Sequence, residues 1–205
     1  MRQANKPYRD RIVAHRLIDD ERALVRLARG GDRAAFDELV RRHAGGLYGA
    51  VAHLCAGPHE AEEVIQEAFL RAWRGLPGFR GDAQFFTWLY RIGINEARRR
   101  GDRRRRAEVV TSLEEHRGHQ PADHAQRPET RAEQRDLRRE LDRAIGTLPV
   151  DHRAALVLRD VEGLSTAQAA AVLGLREAAF KSRLHRARTS LRRELADHDP
   201  QRATR

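Results

Sequence analysis

The stretch LSTAQAAAVLGLREAAFKSRLHRAR, running from Leu164 to Arg188, decides the fold. Ser165 and Gln168 have the spacing of a capping box, in which hydroxyl and amide satisfy free backbone N–H groups at a helix start. A short apolar helix, STAQAAAVL, is expected to follow. Gly174 makes the corner, and a longer basic helix begins beyond it. Short helix, tight glycine-containing turn and longer basic helix form the helix-turn-helix pattern. On a helical wheel Phe180, Leu184, Ala187 and Leu191 share one face. Lys181, Ser182, His185, Arg186, Thr189 and Arg193 fall opposite. A helix that reads DNA needs this division, with a buried side to fix its angle and an outer side of donors for phosphates and base edges. Arg176 stands where Ser, Thr or Asp is the preferred cap, and Glu177 compensates as an acid near a helix N-terminus. Arg176 is therefore also a candidate phosphate contact.

The whole chain agrees with an anionic partner. It has 205 residues and a formal net charge of +10, which points to nucleic acid or a membrane surface. Ala, Leu, Arg and Glu dominate and aromatics are few, a composition that favours helices. Cys55 is the single cysteine, so no intramolecular disulfide can form. No apolar run reads as a signal peptide or a membrane span, and a cytoplasmic location without membrane insertion is expected.

Helical periodicity runs from about Asp20 to Arg100, lapses, and returns at Leu137. The expected organisation is all-α: an arm over 1–19, a first helical domain over 20–100, a polar linker over 101–134, a second, four-helix domain carrying the helix-turn-helix over 135–196, and a tail over 197–205. The linker, beginning GDRRRRAEVVTSLEEHRGHQ, has too few apolar residues to offset chain entropy. In the first domain Asp32 is the expected cap of a helix with Phe36, Leu39, Val40, His43, Leu47, Val51 and Leu54 on its inner stripe. Gly57-Pro58 breaks it. In the second, Leu137, Leu141, Ala144 and Ile145 form one inner stripe, Asp151 caps the next helix, and Gly163 ends it.

Two further surfaces stand out. HEAEEVIQEAFLRAWRGL should bury Ala61, Val64, Ile65, Ala68 and Ala72 and present Glu63, Gln66, Glu67 and Leu70. An acidic face is ill suited to DNA, and an exposed leucine among charges suits a protein partner. It is followed by the loop LPGFRGD and, capped by Asp82, the helix FFTWLYRIGINEARRR. There Phe85, Leu89 and Ile92 should point inward, while Trp88, Arg91, Asn95 and Arg98 make a second stripe suited to stacking and hydrogen bonding with nucleic acid. Phe79 and Arg80 sit on a glycine-flanked loop, where a ring could stack on an unpaired base.

No phosphate-binding glycine loop, paired-cysteine zinc spacing or nucleophile elbow appears, so neither an enzyme nor a bound cofactor or metal is expected. His116, His119 and His124 lie in the linker without other ligand types beside them. Cys55 reads as a small buried residue.

In their order, EAEEVIQEAFLRAW, FRGDAQFFTWLYRIGIN and LSTAQAAAVLGLREAAFKSRLHRAR resemble the bacterial RNA polymerase sigma factors of the extracytoplasmic-function group. The resemblance covers about Asp20 to Leu195. It implies a monomer that binds core RNA polymerase, directs it to promoter DNA and helps open the duplex, held in check by an anti-sigma factor. By the same resemblance Glu63, Gln66, Glu67 and Leu70 meet polymerase. Phe79, Arg80, Gly81 and Asp82 surround a flipped base of the minus-ten element, and the stripe of Trp88, Arg91, Asn95 and Arg98 lies along that element. Lys181, Ser182, His185 and Arg186, with Arg176, meet the minus-thirty-five major groove. The family's recognition helix usually opens Gly-Thr-Val; here Ala178, Ala179 and Phe180 stand instead. A sigma-like decoy for an anti-sigma protein need not keep the basic faces, and a stand-alone helix-turn-helix repressor needs no acidic face, so both fit this chain less well.

Overall fold

The computed structural model describes residues 20–111 and 140–197. The arm, most of the expected linker with its three histidines, and the tail from 198 lie outside the described residues. Those described are helices joined by turns, with no strand among them.

Helix α1 spans 20–29. Gly31, at φ +94°, turns the chain, and Asp32 caps α2 (Arg33–Ala52) by accepting the Ala35 N–H at 3.1 Å. Helix α3 (Pro58–Gly75) opens on a proline, tolerated there because the first N–H of a helix has no intrahelical partner. Glu60 reaches back to accept the Ala56 N–H. A 3-10 turn (Leu76–Gly78) leads to the loop before α4 (Phe85–Thr111).

Helix α4 differs from expectation at both ends. It begins at Phe85, where the Gln84 carbonyl accepts the Trp88 N–H at 3.2 Å, so Asp82 is exposed in the loop rather than capping. It also continues through residues 101–111, where a linker was expected. Arginine is a good helix former, and this turn is held from outside: Arg104 reaches Glu60 on α3 at 2.8 Å.

In the second half α5 is described over 140–147, and Pro149 holds the N-cap position of α6 (Val150–Leu156). Asp151 lies in the first turn of α6 and is not its cap. The helix widens into a π turn (Val157–Val161), and Gly163 leaves it at φ +69°. The capping box forms in both directions: Ser165 Oγ accepts the Gln168 N–H at 3.2 Å, and Gln168 Oε1 accepts the Ser165 N–H at 2.9 Å. After α7 (Thr166–Leu173), Gly174 takes the left-handed conformation at φ +66° and α8 (Glu177–Asp197) follows. Phe180, Leu184 and Ala187 are buried as the wheel requires, whereas Leu141, expected inside, is 37% exposed.

The two halves share one apolar cluster, from Leu39, Val64 and Leu89 in the first to Leu158, Val172 and Phe180 in the second. Close helix approach, within the first half and at the seam, explains three glycines in helix interiors, where each costs about 1 kcal/mol relative to alanine. A side chain at Gly93 would meet Leu47 Cδ1 at 2.7 Å, so this glycine lets α4 close on α2. Gly46 and Gly49 form a notch on α2 that holds the Tyr90 hydroxyl and the Glu162 carboxyl; a Cβ on Gly49 would lie 2.9 Å from the Glu162 carboxyl carbon. Arg153 donates across the seam to the His53 carbonyl at 3.1 Å.

Two predictions follow from this packing. Phe180 is fully buried, so Phe180→Ala should destabilise the chain by about 3–5 kcal/mol, measured by chemical denaturation. Burial raises the Glu162 carboxyl above its ordinary value. Its neighbour Tyr90, pushed up to about 12 by burial and by the charge of Glu162, stays protonated throughout the neutral range. An acid whose value is raised on folding opposes folding only where it must ionise. The seam should therefore weaken as pH climbs from the ordinary carboxylate value of 4.5 through the raised one. Glu162→Gln should remove that component, flattening the pH dependence of melting between weakly acid and neutral pH. An unchanged profile would show that Glu162 does not titrate in the notch.

Candidate functional site

Helix α8 carries the basic face. Lys181, Ser182, His185 and Arg186 are all exposed, and Arg176 is exposed just before the helix. The helix is held rigidly behind them. Arg188 forms a two-pronged ion pair with Asp160, Nε to Oδ2 at 2.9 Å and Nη2 to Oδ1 at 2.6 Å. Arg183 turns inward, 3.6 Å from Asp151. This Asp160 clamp was not visible in the sequence, because its partners lie far apart in the chain and meet only through the π turn.

The outer face of α3 holds Glu63, Gln66 and Leu70 exposed and Glu67 partly covered, with Leu70 49% exposed. It is less purely acidic than expected. Glu63 pairs with Arg100 and Glu67 with Arg71, and the Arg71 guanidinium holds the Glu67 carboxyl below the usual carboxylate range. Behind them Glu96 of α4, only 2% exposed, draws Arg71 at 3.2 Å, Arg99 at 2.8 Å and Arg100 at 3.4 Å. Sequence reading missed Glu96 because it sits in an arginine-rich run that looks like solvated surface.

The loop and α4 stripe are brought together, with two differences from expectation. Phe79 is not offered to solvent: its ring is buried against Trp88, centroids 4.9 Å apart, and edge-on to Phe85 at 6.2 Å. Arg80, Gly81 and Asp82 remain exposed. Gly81 and Asp82 border a cavity of about 490 Å³ between the loop and α1, with Phe79 and Phe85 on its wall. Along α4, Trp88 is half-buried and Arg91 and Asn95 are exposed. Arg98 is drawn into the seam, where its Nη2 lies 2.7 Å from Asp151 Oδ1, an ion pair without hydrogen-bond alignment. Burial lowers the Arg98 pKa and the charge of Asp151 opposes the shift. Arg91 also leans on the second half: a Cβ on Gly174 would meet its Nη2 at 2.9 Å.

Cys55 is buried, and burial pushes its thiol up to about 12, which leaves it inert as a nucleophile. Among the described residues no helix is long and apolar enough to cross a membrane, and no His, Cys, Asp and Glu group is arranged to hold a metal ion.

Residues 39–107 match the family described as Sigma-70 region 2, and residues 138–191 match Sigma-70, region 4. The chain is similar to the RNA polymerase sigma-H factor of Pseudomonas aeruginosa, 36% identical over 185 residues that cover 86% of this chain and 94% of that one. It is also similar to the ECF RNA polymerase sigma-E factor of Escherichia coli, 33% identical over 176 residues covering 83% and 92%. Among solved structures it resembles CnrH in complex with the cytosolic domain of CnrY, with a TM-score of 0.63, 30% identity and coverage of 88% and 99%. The sigma factor RpoE of Bartonella quintana, in complex with the anti-sigma factor NepR, gives a TM-score of 0.65 at 25% identity, covering 80% and 98%.

Proposed function

The chain belongs to the extracytoplasmic-function group of RNA polymerase sigma factors, and from that premise we propose how its faces divide the work of initiation. The exposed part of α3, Glu63, Gln66 and Leu70 with Glu67 beside them, docks on core RNA polymerase. The 79–82 loop and the Trp88, Arg91, Asn95 and Arg98 stripe engage the minus-ten element. Lys181, Ser182, His185 and Arg186, with Arg176, enter the major groove of the minus-thirty-five element. The observation that carries this reading is α8: four exposed donors on one side, a buried apolar stripe on the other, and a capped glycine corner setting its angle. The factor acts as an initiation factor and not as a catalyst, in the cytoplasm, and is a monomer when free. An anti-sigma protein is its expected antagonist, as CnrY is found with CnrH and NepR with the Bartonella factor.

The seam bears directly on mechanism. Arg91 and Arg98 of the first half touch Gly174 and Asp151 of the second. Elements about 25 base pairs apart lie roughly 85 Å apart along duplex DNA at about 3.4 Å per step. Both halves therefore cannot occupy their elements while the seam is closed. Polymerase must hold them apart, and parting them frees Arg91 and Arg98 for the minus-ten strand. A flipped base costs a few kcal/mol to extrude, which pocket contacts offset in part.

Run-off transcription with purified core polymerase and genomic fragments tests the whole reading. Promoter-specific transcripts should appear only when the protein is added; their absence with folded, core-bound protein would sink it. Glu63→Arg combined with Glu67→Arg should weaken core binding at least tenfold, measured by fluorescence anisotropy, with the helical signal retained. Lys181→Ala with Arg186→Ala should weaken minus-thirty-five binding. Each lost phosphate contact should lower the slope of log affinity against log salt by about 0.9. An unaltered slope would count against groove contact.

A further inference from the structure

The cavity beside the 79–82 loop has a second wall that the functional reading above leaves unused. Helix α1 supplies it, through Arg22, Arg26 and Arg29. Their spacing puts all three on one helical face, and all three are exposed. They have no ion-pair partner among the described residues. Glu21, the acid beside them, also lines the cavity, and its carboxylate is engaged by His43 on α2 at 3.1 Å. Val25, which also lines the cavity, and Ala28 commit the inner side of α1 to the core. Nothing in the packing asks for three arginines here, and like charges on one face of a helix repel.

We propose that Arg22, Arg26 and Arg29 form a phosphate rail that holds the backbone of single-stranded DNA while one of its bases occupies the adjoining cavity. The inference rests on the sigma-factor reading and extends it to a third contact surface on α1. Three features of the site define the ligand class. The aromatic wall of Phe79, Phe85 and Phe86 suits the face of a base, and Asp82 and Gln84 at the rim offer groups for its polar edge. At about 490 Å³ the cavity falls in the range of sites that take a small molecule or a nucleotide unit. The planar guanidinium fork fits phosphate oxygens in pairs. From Arg22 to Arg29 the helix rises about 10 Å, enough to follow neighbouring phosphates of an extended strand. A base inside a duplex is stacked and paired, so it reaches the cavity only from a strand already opened. The rail therefore favours the melted strand over the duplex, and it stabilises the opened promoter without reading its sequence.

The test uses the full chain and a fluorescein-labelled single-stranded DNA 12-mer of randomised sequence, with anisotropy measured over a range of salt concentrations. The triple variant R22Q/R26Q/R29Q should lose at least tenfold in affinity at low salt. Its salt slope should be shallower by about 2, at about 0.7 for each single-strand phosphate released. A second triple, R33Q/R41Q/R74Q, removes the same charge from exposed positions that do not line the cavity. It should leave the slope nearly unchanged and, like the first, preserve the melting temperature. Equal slopes for the two triples would overturn the rail in favour of diffuse charge, as would an unchanged slope in the first. The rail and the sigma-factor reading can fail separately. Core affinity should be unaffected by R22Q/R26Q/R29Q, while promoter opening by its holoenzyme should fall several-fold. Full opening by that holoenzyme would reject the rail and leave the function standing, whereas absence of promoter-directed transcription by the unaltered protein would reject the function itself.

Discussion

The structure depends on a close approach between helices that side chains would prevent. Gly46, Gly49 and Gly93 strip α2 and α4 down to backbone where the Tyr90 hydroxyl, the Glu162 carboxyl and Leu47 arrive. Each of these glycines costs helix stability, and each is repaid by burial that a Cβ would block. Because Glu162 comes from the second half, the same notch that closes the first half also seats the second. One continuous apolar cluster results, in place of two separate cores. The seam is also polar at its heart. A half-covered carboxyl, a buried tyrosine hydroxyl and the Arg98–Asp151 pair occupy ground that an obligate interface fills with apolar groups. An interface of this kind holds the halves together and still allows them to part at moderate cost.

Charge is distributed by the same economy. Arginines crowd α4 from Arg98 onward, and a solvated basic surface is the simplest reading of them. Several are instead structural. Arg99, Arg100 and Arg103 converge with Arg71 on the buried Glu96, and Arg104 ties the last turns of α4 to Glu60. Removing that carboxylate would leave mutually repelling arginines and a buried void, a far larger effect than an exposed pair produces. The net positive charge is therefore a poor guide to which arginines are free. Among those left over, the arginines of α1, Arg80 and Arg91, and those on the outer side of α8 are the ones the proposed reading gives to nucleic acid.

Legibility in the sequence followed the range of the interactions. The capping box, the Gly174 corner, the Asp32 cap and the α8 stripe from Phe180 to Ala187 are set by residues within a few positions of one another, and each is found as read, with Leu191 partly covered at the stripe's end. What could not be read depends on partners far along the chain. Phe79 looked like an exposed ring on a flexible loop, but Trp88 and Phe85 fold back over it. Arg98 belonged to a polar stripe, but Asp151 claims it. Helix α4 outran its expected end because Arg104 meets Glu60 on α3, a contact that composition does not reveal. The glycines of α2 carried a signal of their own, since a run such as HAGGLYGA inside a strongly periodic helix asks what packs against it.

The departure at the start of α8 can now be divided by position. Phe180, which stands where the pattern of the resembled family reads valine, is fully buried, while Ala178 and Ala179 are exposed. The larger ring is therefore a matter of packing: it fills the space behind the helix-turn-helix and has no surface to offer DNA. The two alanines face outward but bring no donor or acceptor, so the first turn of α8 contributes shape and methyl groups alone. A methyl group distinguishes thymine in the major groove by apolar contact and leaves other base edges unread. Under the proposed reading, hydrogen-bonded discrimination in the minus-thirty-five element must then come from the next turn, Lys181 to Arg186, with Arg176 holding register from the corner. The substitution narrows the set of residues that can read bases without disturbing the scaffold that presents them.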